Sequence, residues 1–358
     1  MLHVVGLLTA DGRYGGPQRV ALDLAAEQRE QGLDVFVVSG SAHDSPYRST
    51  ESVRTFRSFR LLPQLGYAGL VSPGMVFWLF RHFRRFDVIH VHLARDLTTL
   101  PIAAVARAFK RNYVLQTHGM IDKASNIAAK ILDFVAVRGV AAKANRIFAL
   151  TPSEAEDIKR LAPHSAVALL DNGIRISEPH HLPRTNVTFL ARLHPRKGGK
   201  LFAEAVNLIS KDFPDVSFIL AGPDEGDLQN ILATARKDGS PKLKIIGPVD
   251  PTDVPLLMAS SLIYVLPAPG EPFGMTVLEA MVEETAVVIN RTAELADRLH
   301  ADGCVATFDG SATDLATVIV ELLTDRRGTE RLGRLGRQVA QRKFSLSFVA
   351  EQVSSAYP

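Results

Sequence analysis

The stretch Glu271-Pro-Phe-Gly-Met-Thr-Val-Leu-Glu-Ala-Met281 follows an apolar run, Ser261–Leu266, that has the composition of a buried β-strand. A turn of proline and glycine residues separates the two segments. After Gly274 the apolar residues recur at helical spacing, so we predict that a helix starts near this glycine. Glu271 then lies in the loop before the helix, and Glu279 lies inside the helix beside its apolar face.

The start of this predicted helix has the features of an anion site. The first turn of a helix carries free N–H groups, and the helix dipole adds partial positive charge there. A carboxylate stands on each side of that site, Glu271 before it and Glu279 after it. Such an arrangement suits a ligand with hydroxyl groups on both sides of a phosphate, and a nucleotide sugar is a ligand of this kind.

The rest of the chain alternates apolar strands with helical patterns, which predicts an α/β fold of two tandem Rossmann-like, doubly wound domains with parallel sheets. The pattern breaks near residue 172, where a stretch rich in proline and histidine predicts an interdomain linker. We therefore divide the chain into residues 1–172, 173–340 and a C-terminal helix, 341–358, that returns to the first domain. Ligands of such sheets bind beyond the carboxyl ends of the strands, here in the cleft between the domains.

The predicted strands of the first domain are Leu2–Leu8, Asp34–Val38, Asp87–His92, Asn112–Thr117 and Arg146–Leu150. Those of the second are Val187–Ala191, Val216–Ala221, Leu243–Ile246, Leu262–Leu266 and Ala286–Ile289. Helical patterns lie between them, and helices are expected to fill most of the chain after the last strand.

Composition excludes several classes of protein. The 358 residues suggest about two domains. A single cysteine, Cys304, excludes an intramolecular disulfide and a cysteine-based zinc site. No apolar run is long enough to cross a bilayer, and the first residues lack a basic leader. We therefore expect a cytoplasmic protein, either free or peripheral on the inner face of the plasma membrane, and no feature indicates a nucleic-acid partner.

Aromatic and basic residues alternate over residues 77–86, and the whole first domain is basic. Residues 1–172 carry a net charge of about +6, whereas residues 173–358 carry about −3. Phe77, Trp78 and Phe80 are interleaved with Arg81 and its neighbours. A core helix rimmed by arginines accounts for this pattern. Peripheral contact with an anionic membrane is the alternative.

A basic loop, Ala191-Arg-Leu-His-Pro-Arg-Lys-Gly-Gly199, follows the first strand of the second domain and leads into a helix. Cations just ahead of a helix are electrostatically misplaced unless an anion is bound. Arg192 and Lys197 are therefore predicted to bind a diphosphate, the arginine through its fork and the lysine as a point charge. A solvated basic turn is the alternative.

His118 ends the predicted strand before Gly119, at the strand's carboxyl end, which makes it a candidate site residue. His90 and His92 end the preceding strand and are expected to be surface residues at the strand end. We predict no metal at these histidines, since no carboxylate or cysteine is placed with them. The loop after the first strand carries Gly15 and Gly16, which let the backbone approach a ligand closely.

Taken together, these motifs resemble the retaining glycosyltransferases of family four, which have the GT-B fold. The resemblance covers nearly the whole chain. Its most specific part is the pair Glu271 and Glu279 with seven residues between them, followed by the 191–198 loop and by Thr117-His-Gly-Met120. Gly15-Gly16, Asn172-Gly173 and Ala221-Gly-Pro223 add weaker support.

The resemblance implies a nucleotide-sugar donor, most readily a UDP- or GDP-sugar, and a saccharide or lipid-linked saccharide as acceptor. It implies no cofactor and no metal. The residues that it assigns to catalysis are His118, Arg192, Lys197 and Glu271. Those that it assigns to donor binding are Gly15, Gly16, Gly222, Phe273, Gly274, Met275, Thr276 and Glu279.

The sequence departs from the family pattern at Asn290–Glu294, which lacks the usual Gly-Gly pair in a loop that helps to shape the donor pocket. Two other functions remain open at this point. One is a sugar-nucleotide epimerase with the same fold, and the other is a non-catalytic subunit that binds a nucleotide sugar.

Overall fold

The structure, a computed structural model, describes residues 1–9, 16–42, 46–62, 68–121, 132–236 and 242–358. It divides into two compact units, Met1–Arg175 with Leu346–Pro358, and Ile176–Ser345. The divisions therefore fall after residues 175 and 345, a few residues from the boundaries expected from the sequence.

The first unit contains nine strands and five helices before the linker, within the described residues. The strands are β1 Leu2–Leu8, β2 Phe36–Ser41, β3 Val53–Arg57, β4 Phe59–Arg60, β5 Leu70–Val71, β6 Val88–His92, β7 Asn112–Gln116, β8 Arg146–Ala149 and β9 Val167–Leu169. The helices are α1 Gly16–Glu30, α2 Pro73–His82, α3 Thr99–Ala108, α4 Arg138–Ala141 and α5 Pro152–Leu161. A 3-10 turn, Phe83–Arg85, follows α2, and a π-helical turn, Asp133–Val137, precedes α4.

The second unit has six strands in its described part. They are β10 Asn186–Leu190, β11 Ser217–Ala221, β12 Leu243–Gly247, β13 Ser261–Leu266, β14 Ala286–Asn290 and β15 Ala306–Phe308. Its helices are α6 Gly199–Ile209, α7 Leu228–Arg236, α8 Val254–Ala259, α9 Met275–Val282, α10 Ala296–Ala301, α11 Ala312–Thr324 and α12 Arg326–Lys343, with a 3-10 turn at Pro195–Lys197. The C-terminal helix α13, Leu346–Ser355, belongs to the first unit.

Both sheets are parallel and doubly wound. The first has the strand order β3-β2-β1-β6-β7-β8-β9, and the second has the order β12-β11-β10-β13-β14-β15. In each sheet the chain first builds outward on one side and then returns to start the other side. The order reverses between β1 and β6 in the first unit and between β10 and β13 in the second, and ligands of such sheets bind at this switch point. The predicted fold class is confirmed.

The predicted elements agree with the structure within a few residues, and the exceptions share a position in the fold. The sequence did not predict β3, β9 and β15, and each of them is the outermost strand of its sheet. Their burial is only partial, and β3 and β15 include polar residues, whereas the three residues of β9 are apolar. The short antiparallel pair β4 and β5 was also not predicted.

The core strands are buried on both faces, which explains why the sequence revealed them. Every residue of β1, β6, β13 and β14 is buried. In the second unit, Phe189, Phe202 and Phe218 pack with the aliphatic residues of β13 in one apolar cluster. Burying an apolar side chain of this size stabilises the fold by roughly 1.5–3 kcal/mol.

Two glycines of α12 provide a test of how closely this helix packs. A Cβ atom at Gly333 would lie 2.0 Å from the carbonyl oxygen of Glu284, whereas one at Gly336 would lie 3.4 Å or more from every neighbour. We expect Gly336→Ala to be neutral or to stabilise by up to about 1 kcal/mol, because alanine is the better helix former.

Gly333→Ala should instead destabilise by about 1–3 kcal/mol, since backbone must move to relieve the clash. Urea unfolding of the two variants beside the wild-type protein measures both effects. Equal stability of the two variants would contradict the packing described here.

Candidate functional site

In the second unit, the loops that follow β10 and β13 bring together two of the residues selected from the sequence. Lys197 Nζ forms an ion pair with Glu271 Oε2, and these side chains are only 13% and 12% exposed. The two strands are neighbours in the sheet, and the sheet's switch point lies between them. The pair therefore occupies the position at which a parallel α/β sheet binds its ligand.

Glycines allow these loops to approach each other. Gly198 has a left-handed backbone with φ of 77°, and a Cβ atom there would lie 3.1 Å from Pro267. Gly274, the N-cap of α9, has φ of 70°, and its Cβ would lie 2.8 Å from the side chain of Leu266. Side chains rarely adopt this backbone region, so glycine is required by conformation as well as by space.

Arg192, the second predicted diphosphate ligand, has a different partner. Its Nη1 lies 2.8 and 3.0 Å from the two carboxylate oxygens of Glu225, and the arginine side chain is 48% exposed. The sequence analysis did not select Glu225. It follows β11, where the backbone N–H groups of Glu225 and Asp227 donate to Leu193 O. The structure thus places Arg192 on the loop with Lys197 but pairs it with another acid.

Gly222 lies at the base of the same loop. Its φ is 138°, and a Cβ atom would lie 1.8 Å from the carbonyl oxygen of Ala191, just before Arg192. Only glycine fits this contact, which accounts for Gly222 through the packing of the two loops. A contact with the donor stays a prediction.

A buried tyrosine that sequence reasoning missed connects the start of α9 to the sheet through hydrogen bonds. Tyr264 donates from its hydroxyl to Leu190 O at 3.1 Å, and the hydroxyl oxygen lies 2.5 Å from Thr276 Oγ1. Burial raises the pKa of Tyr264, so the phenol stays neutral. Thr276 therefore has a partner within the protein, and its assignment to donor binding stays a prediction.

Three further residues that were predicted to bind the donor, Phe273, Met275 and Glu279, lie just before α9 or within it. Phe273 is buried and packs edge-to-face on Phe344, with ring centroids 6.0 Å apart. Met275 is the first residue of α9, and Glu279 is half-buried one turn later, as expected beside the apolar face. The assignment of these three residues to donor binding stays a prediction.

The 290–294 loop, which lacks the Gly-Gly pair, supports the backbone around Glu271. Asn290 donates from Nδ2 to Pro267 O at 3.3 Å and accepts from the backbone and hydroxyl of Thr292. Thr292 Oγ1 accepts from Gly270 N at 3.1 Å, and Glu294 N donates to Glu271 O at 3.0 Å. Side-chain hydrogen bonds thus fix the loop before α9.

In the first unit, His118 follows β7 in an uncommon backbone conformation. Its φ is 52° and that of Gly119 is 76°, so two consecutive residues are left-handed. The strain at a non-glycine residue costs on the order of 1–2 kcal/mol. The buried carboxylate of Glu154 stabilises this turn by accepting from Gly119 N at 3.0 Å and from Ile121 N at 3.1 Å.

Glu154 was missed by sequence reasoning, although a signal was present. Thr151 is the N-cap of α5 and accepts from the backbone N–H of Glu154, which is the Thr-x-x-Glu spacing of a capping box. The glutamate also accepts from Leu150 N at 2.8 Å. It therefore connects the start of α5 to the turn that carries His118.

The His118 ring lies inside the unit, in a row of buried histidines. The expectation that His90 and His92 lie at the surface is wrong, because every residue of β6 is buried. His118 Nε2 lies 2.8 Å from His92 Nδ1, and His92 Nε2 lies 2.9 Å from His3 Nδ1. Burial lowers the pKa of His118 to about 4 and that of His3 to about 3. Burial likewise holds the pKa values of His90 and His92 well below the usual range. All four imidazoles are therefore neutral at pH 7.

Three of these histidines are close enough to be considered as metal ligands. Ligand atoms of His3, His90 and His92 lie within 4.8 Å of one another, the one group of this kind among the described residues. The nitrogens of His3 and His92 are already hydrogen-bonded to each other. The prediction that no metal binds at the histidines is not tested by this geometry.

Of the two glycines predicted to approach the ligand, Gly16 is the first residue of α1, and a Cβ atom there would meet open space. Gly15 lies outside the described residues.

The helix α2 buries Met75, Trp78 and Leu79 in the core, as the first interpretation of residues 77–86 expected. The opposite face exposes Phe77 and Phe80, which are 62% and 54% accessible. In the part of the chain that is described, none of the helices has the length and apolar character needed to span a membrane.

Comparison with known proteins agrees with this arrangement. Residues 184–325 match the family model described as glycosyl transferases group 1. Residues 15–173 match the model described as glycosyl transferase 4-like domain. Together the two models span most of the chain.

The chain is also similar to characterised proteins. A phosphatidyl-myo-inositol mannosyltransferase of Propionibacterium freudenreichii is 26% identical over 370 residues, covering 96% of this chain and 91% of that protein. The Mycobacterium tuberculosis protein of the same name is 31% identical over 179 residues, 48% of this chain and 46% of that protein. The match thus spans about half the length of the mycobacterial relative. A structure of Anabaena Alr3699/HepE with UDP and glucose has a TM-score of 0.76 at 18% identity, covering 99% of this chain and 98% of that one.

The buried histidines predict how stability depends on pH. Their pKa values are lowered in the folded state, so the unfolded chain binds protons below about pH 6.5 that the folded chain does not. Stability should be complete above that pH and fall as the pH drops, by on the order of 1 kcal/mol per buried histidine between pH 7.5 and 5.5.

Urea unfolding across this range measures the slope. His90→Leu should make the slope shallower by about one proton, whereas the exposed His164→Gln should leave it unchanged. A slope that is the same for wild type and His90→Leu would contradict the assignment of buried, neutral imidazoles.

Proposed function

Because the chain belongs to the family-four glycosyltransferases with the GT-B fold, we propose that it is a retaining enzyme that transfers a hexose from a nucleotide sugar to a hydroxyl acceptor. The observation that carries this proposal is the ion pair of Lys197 and Glu271 at the switch point of the second sheet. An ammonium group and a carboxylate there match the two halves of a nucleotide sugar, its diphosphate and its hydroxyl groups.

In the proposed reaction, Lys197 binds the donor diphosphate and Glu271 contacts hydroxyl groups of the sugar. The bond between the anomeric carbon and the phosphate oxygen breaks while the acceptor oxygen attacks from the same face. The acceptor's proton passes to the departing phosphate. Arg192, which needs only to leave the exposed pair with Glu225, turns toward the same charge. Fixed cations that stabilise developing negative charge are among the strongest contributors to catalysis.

The remaining assignments belong to the same proposal. Glu279 holds the donor ribose, and His118 acts near the anomeric centre. Gly15, Gly16, Gly222, Thr276 and the backbone of residues 273–275 contact the donor. No metal is needed, because Lys197, Arg192 and the N-terminus of α9 supply the positive charge that the diphosphate requires.

For the donor, we propose a UDP- or GDP-sugar, and for the acceptor a lipid-linked saccharide or a glycolipid precursor. The Anabaena structures that resemble this chain contain UDP, UDP with glucose, and UDP-glucose. A relative that matches over 96% of this chain is a phosphatidyl-myo-inositol mannosyltransferase. Calorimetry with UDP-, GDP-, ADP- and TDP-sugars, followed by product analysis with EDTA present, tests donor, reaction and metal requirement together.

The analysis of products decides between this function and the alternatives. An α-linked product from an α-linked donor, formed in EDTA, supports the proposal. Isomerised donor without acceptor would indicate an epimerase instead. Donor binding without turnover across the panel would indicate a non-catalytic subunit.

Replacing Lys197 tests its proposed role. We expect Lys197→Ala to lower kcat on the order of a hundredfold, about 2–4 kcal/mol of transition-state stabilisation. The matched control is Lys200→Ala at the second residue of α6, whose side chain is 56% exposed and pairs with Glu204. That variant should keep wild-type kcat.

Removing one partner of a largely buried ion pair can also destabilise the protein. Thermal unfolding of Lys197→Ala therefore accompanies the kinetics, and Glu271→Gln, which keeps shape and hydrogen bonding, is measured beside it. A folded Lys197→Ala enzyme with unchanged kcat would reject the assignment.

We also propose that the exposed face of α2 contacts an anionic membrane, where a lipid-linked acceptor resides. Phe77 and Phe80 point away from the core, and the guanidinium of Arg81 lies 5.5 Å from the centroid of Phe77. These phenylalanines line an open apolar groove of about 460 Å³ together with Val76, Leu97 and Pro101. Aromatic side chains with cations at their rim are typical of surfaces that lie in the membrane interface.

A basic surface continues from this aromatic face. Phe109 packs against Phe80 and Phe83 with ring centroids 5.4 and 4.4 Å apart. The next residues, Lys110 and Arg111, line a pocket of about 430 Å³ with Arg107 and Lys143. The C-terminal ends of α3 and α4 lie nearby, and each supplies a partial charge of about −0.5. The positive charge of the four cations exceeds this sum. The excess favours an anionic surface as partner.

Sedimentation with liposomes tests the membrane proposal. We expect wild-type protein to bind phosphatidylglycerol vesicles more than phosphatidylcholine vesicles, and to bind less at high salt. Phe77→Ser with Phe80→Ser should weaken binding at least tenfold, because two large apolar groups no longer enter the interface. Arg81, Arg84 and Arg85 changed together to alanine should also weaken it, whereas Leu208→Ser, an exposed leucine in the second unit, should not. Equal binding by all variants would rule the surface out.

A further inference from the structure

The row of buried histidines extends from the His118 turn to the C-terminal helix. His118, His92 and His3 form two consecutive N···N hydrogen bonds of 2.8 and 2.9 Å. His3 Nε2 then lies 2.8 Å from Gln28 Oε1, on the inner face of α1. One unbroken line of hydrogen bonds therefore joins the second residue after β7 to α1 through side chains of β6 and β1.

The C-terminal segment forms hydrogen bonds with Gln28, at the end of the row opposite His118. Gln28 Nε2 donates to Ser354 Oγ at 3.1 Å and to the hydroxyl of Tyr357 at 3.2 Å. That hydroxyl lies 2.8 Å from His90 Nδ1. In the structure the amide oxygen of Gln28 faces His3, and its amide nitrogen faces the two hydroxyl groups.

The direction of every proton in the row follows from that orientation. An amide oxygen can only accept, so His3 carries its proton on Nε2. A neutral imidazole has one donor and one acceptor, so His3 Nδ1 accepts and His92 Nε2 donates. The same reasoning makes His92 Nδ1 an acceptor and His118 Nε2 a donor. His118 Nδ1 is then an acceptor, which the neighbouring amide of Asn172 can satisfy only through its nitrogen. Since burial keeps all of these rings neutral at pH 7, no second proton reverses the direction.

The far end of the row agrees with this direction. Tyr357 accepts from Gln28 Nε2 and is then free to donate its hydroxyl proton to His90 Nδ1. His90 must then carry its proton on Nε2. The Oε1 of Gln116 lies near this ring, and in the described structure neither this oxygen nor His90 Nε2 has a hydrogen-bond partner.

We propose that Gln28, His3 and His92 are positioning residues that hold His118 in the Nε2–H form and so fix the left-handed turn at His118 and Gly119. The proposal rests on the proposed function for its effect on catalysis, because His118 is assigned there to the donor sugar. A left-handed residue persists only where its surroundings determine it. Glu154 holds the backbone of this turn from one side, and the histidine row holds its side chain from the other. Through Ser354 and Tyr357, the C-terminal segment belongs to the same hydrogen-bond network.

The test is the tautomeric state of each histidine, read from long-range ¹H–¹⁵N NMR spectra of the ¹⁵N-histidine-labelled protein at pH 7. We expect His3, His92 and His118 each to be protonated on Nε2 alone in the wild-type protein. In Gln28→Leu, which removes the acceptor that fixes the direction, His118 should show a mixture of both tautomers. A wild-type His118 protonated on Nδ1 would overturn the proposal.

Metal analysis of the same sample addresses the competing explanation. One equivalent of zinc, lost in His90→Leu, would show that the histidines are ligands and would overturn the proposal. No retained metal, together with the expected tautomers, supports it. This readout does not depend on any enzymatic activity, so it stands even if the proposed function fails.

Kinetics with the best donor separate positioning from a purely structural role. We expect Gln28→Leu to lower kcat roughly tenfold while the donor KM changes less than twofold, since a displaced site residue impairs the reaction more than binding. Tyr357→Phe should produce a smaller change in the same direction, and it replaces Gln28→Leu if that variant does not fold. The matched control is Gln31→Leu, which loses a contact to the C-terminal helix through Ser347 O but has none to the histidine row among the described contacts. Equal kcat for Gln28→Leu and Gln31→Leu would contradict a positioning role.

Discussion

The ion pair of Lys197 and Glu271 is the interaction on which the second unit's site depends. Desolvating two charges costs several kcal/mol per ion, and apolar residues of similar volume often give equal or greater stability, so stability alone does not explain the pair. Its partners are 74 residues apart and meet because β10 and β13 are neighbours at the switch point. Gly198 lets its loop come close to Pro267 in the loop after β13, and Gly274 allows the left-handed backbone at the start of α9. The fold thus holds a cation and an anion where a ligand of mixed charge and polarity can exchange with them.

The first unit also holds polar groups at a parallel sheet, but its polar side chains are neutral. His3, His92 and His118 are buried, their pKa values are lowered by that burial, and each bonds to the next. A buried polar network is favourable only when its members are satisfied, and such networks then specify one arrangement. The residue at its end, His118, is also the one in a strained backbone conformation. The two units therefore use different chemistry, charge in one and directed hydrogen bonds in the other, to fix residues beyond the strand ends.

Sequence reasoning predicted what depends on local pattern. The central strands are apolar on both faces, and Gly274 marks the helix start, so both were visible in the chain. The edge strands β3 and β15 were missed because a half-exposed strand need not be apolar, whereas β9 was missed although its three residues are apolar. Partners that are distant in sequence were also missed. Nothing local connects Arg192 with Glu225, Tyr264 with Thr276, or Gln28 with Tyr357. Glu154 is the exception, since its capping-box spacing could have been recognised.

The most direct test of the central claim is a crystal structure of the chain with the nucleoside diphosphate that binds most tightly. The account predicts that Lys197 Nζ leaves Glu271 and lies within hydrogen-bonding distance of the terminal phosphate, with the diphosphate at the N-terminus of α9. A diphosphate bound elsewhere, with the Lys197–Glu271 pair intact, would contradict it.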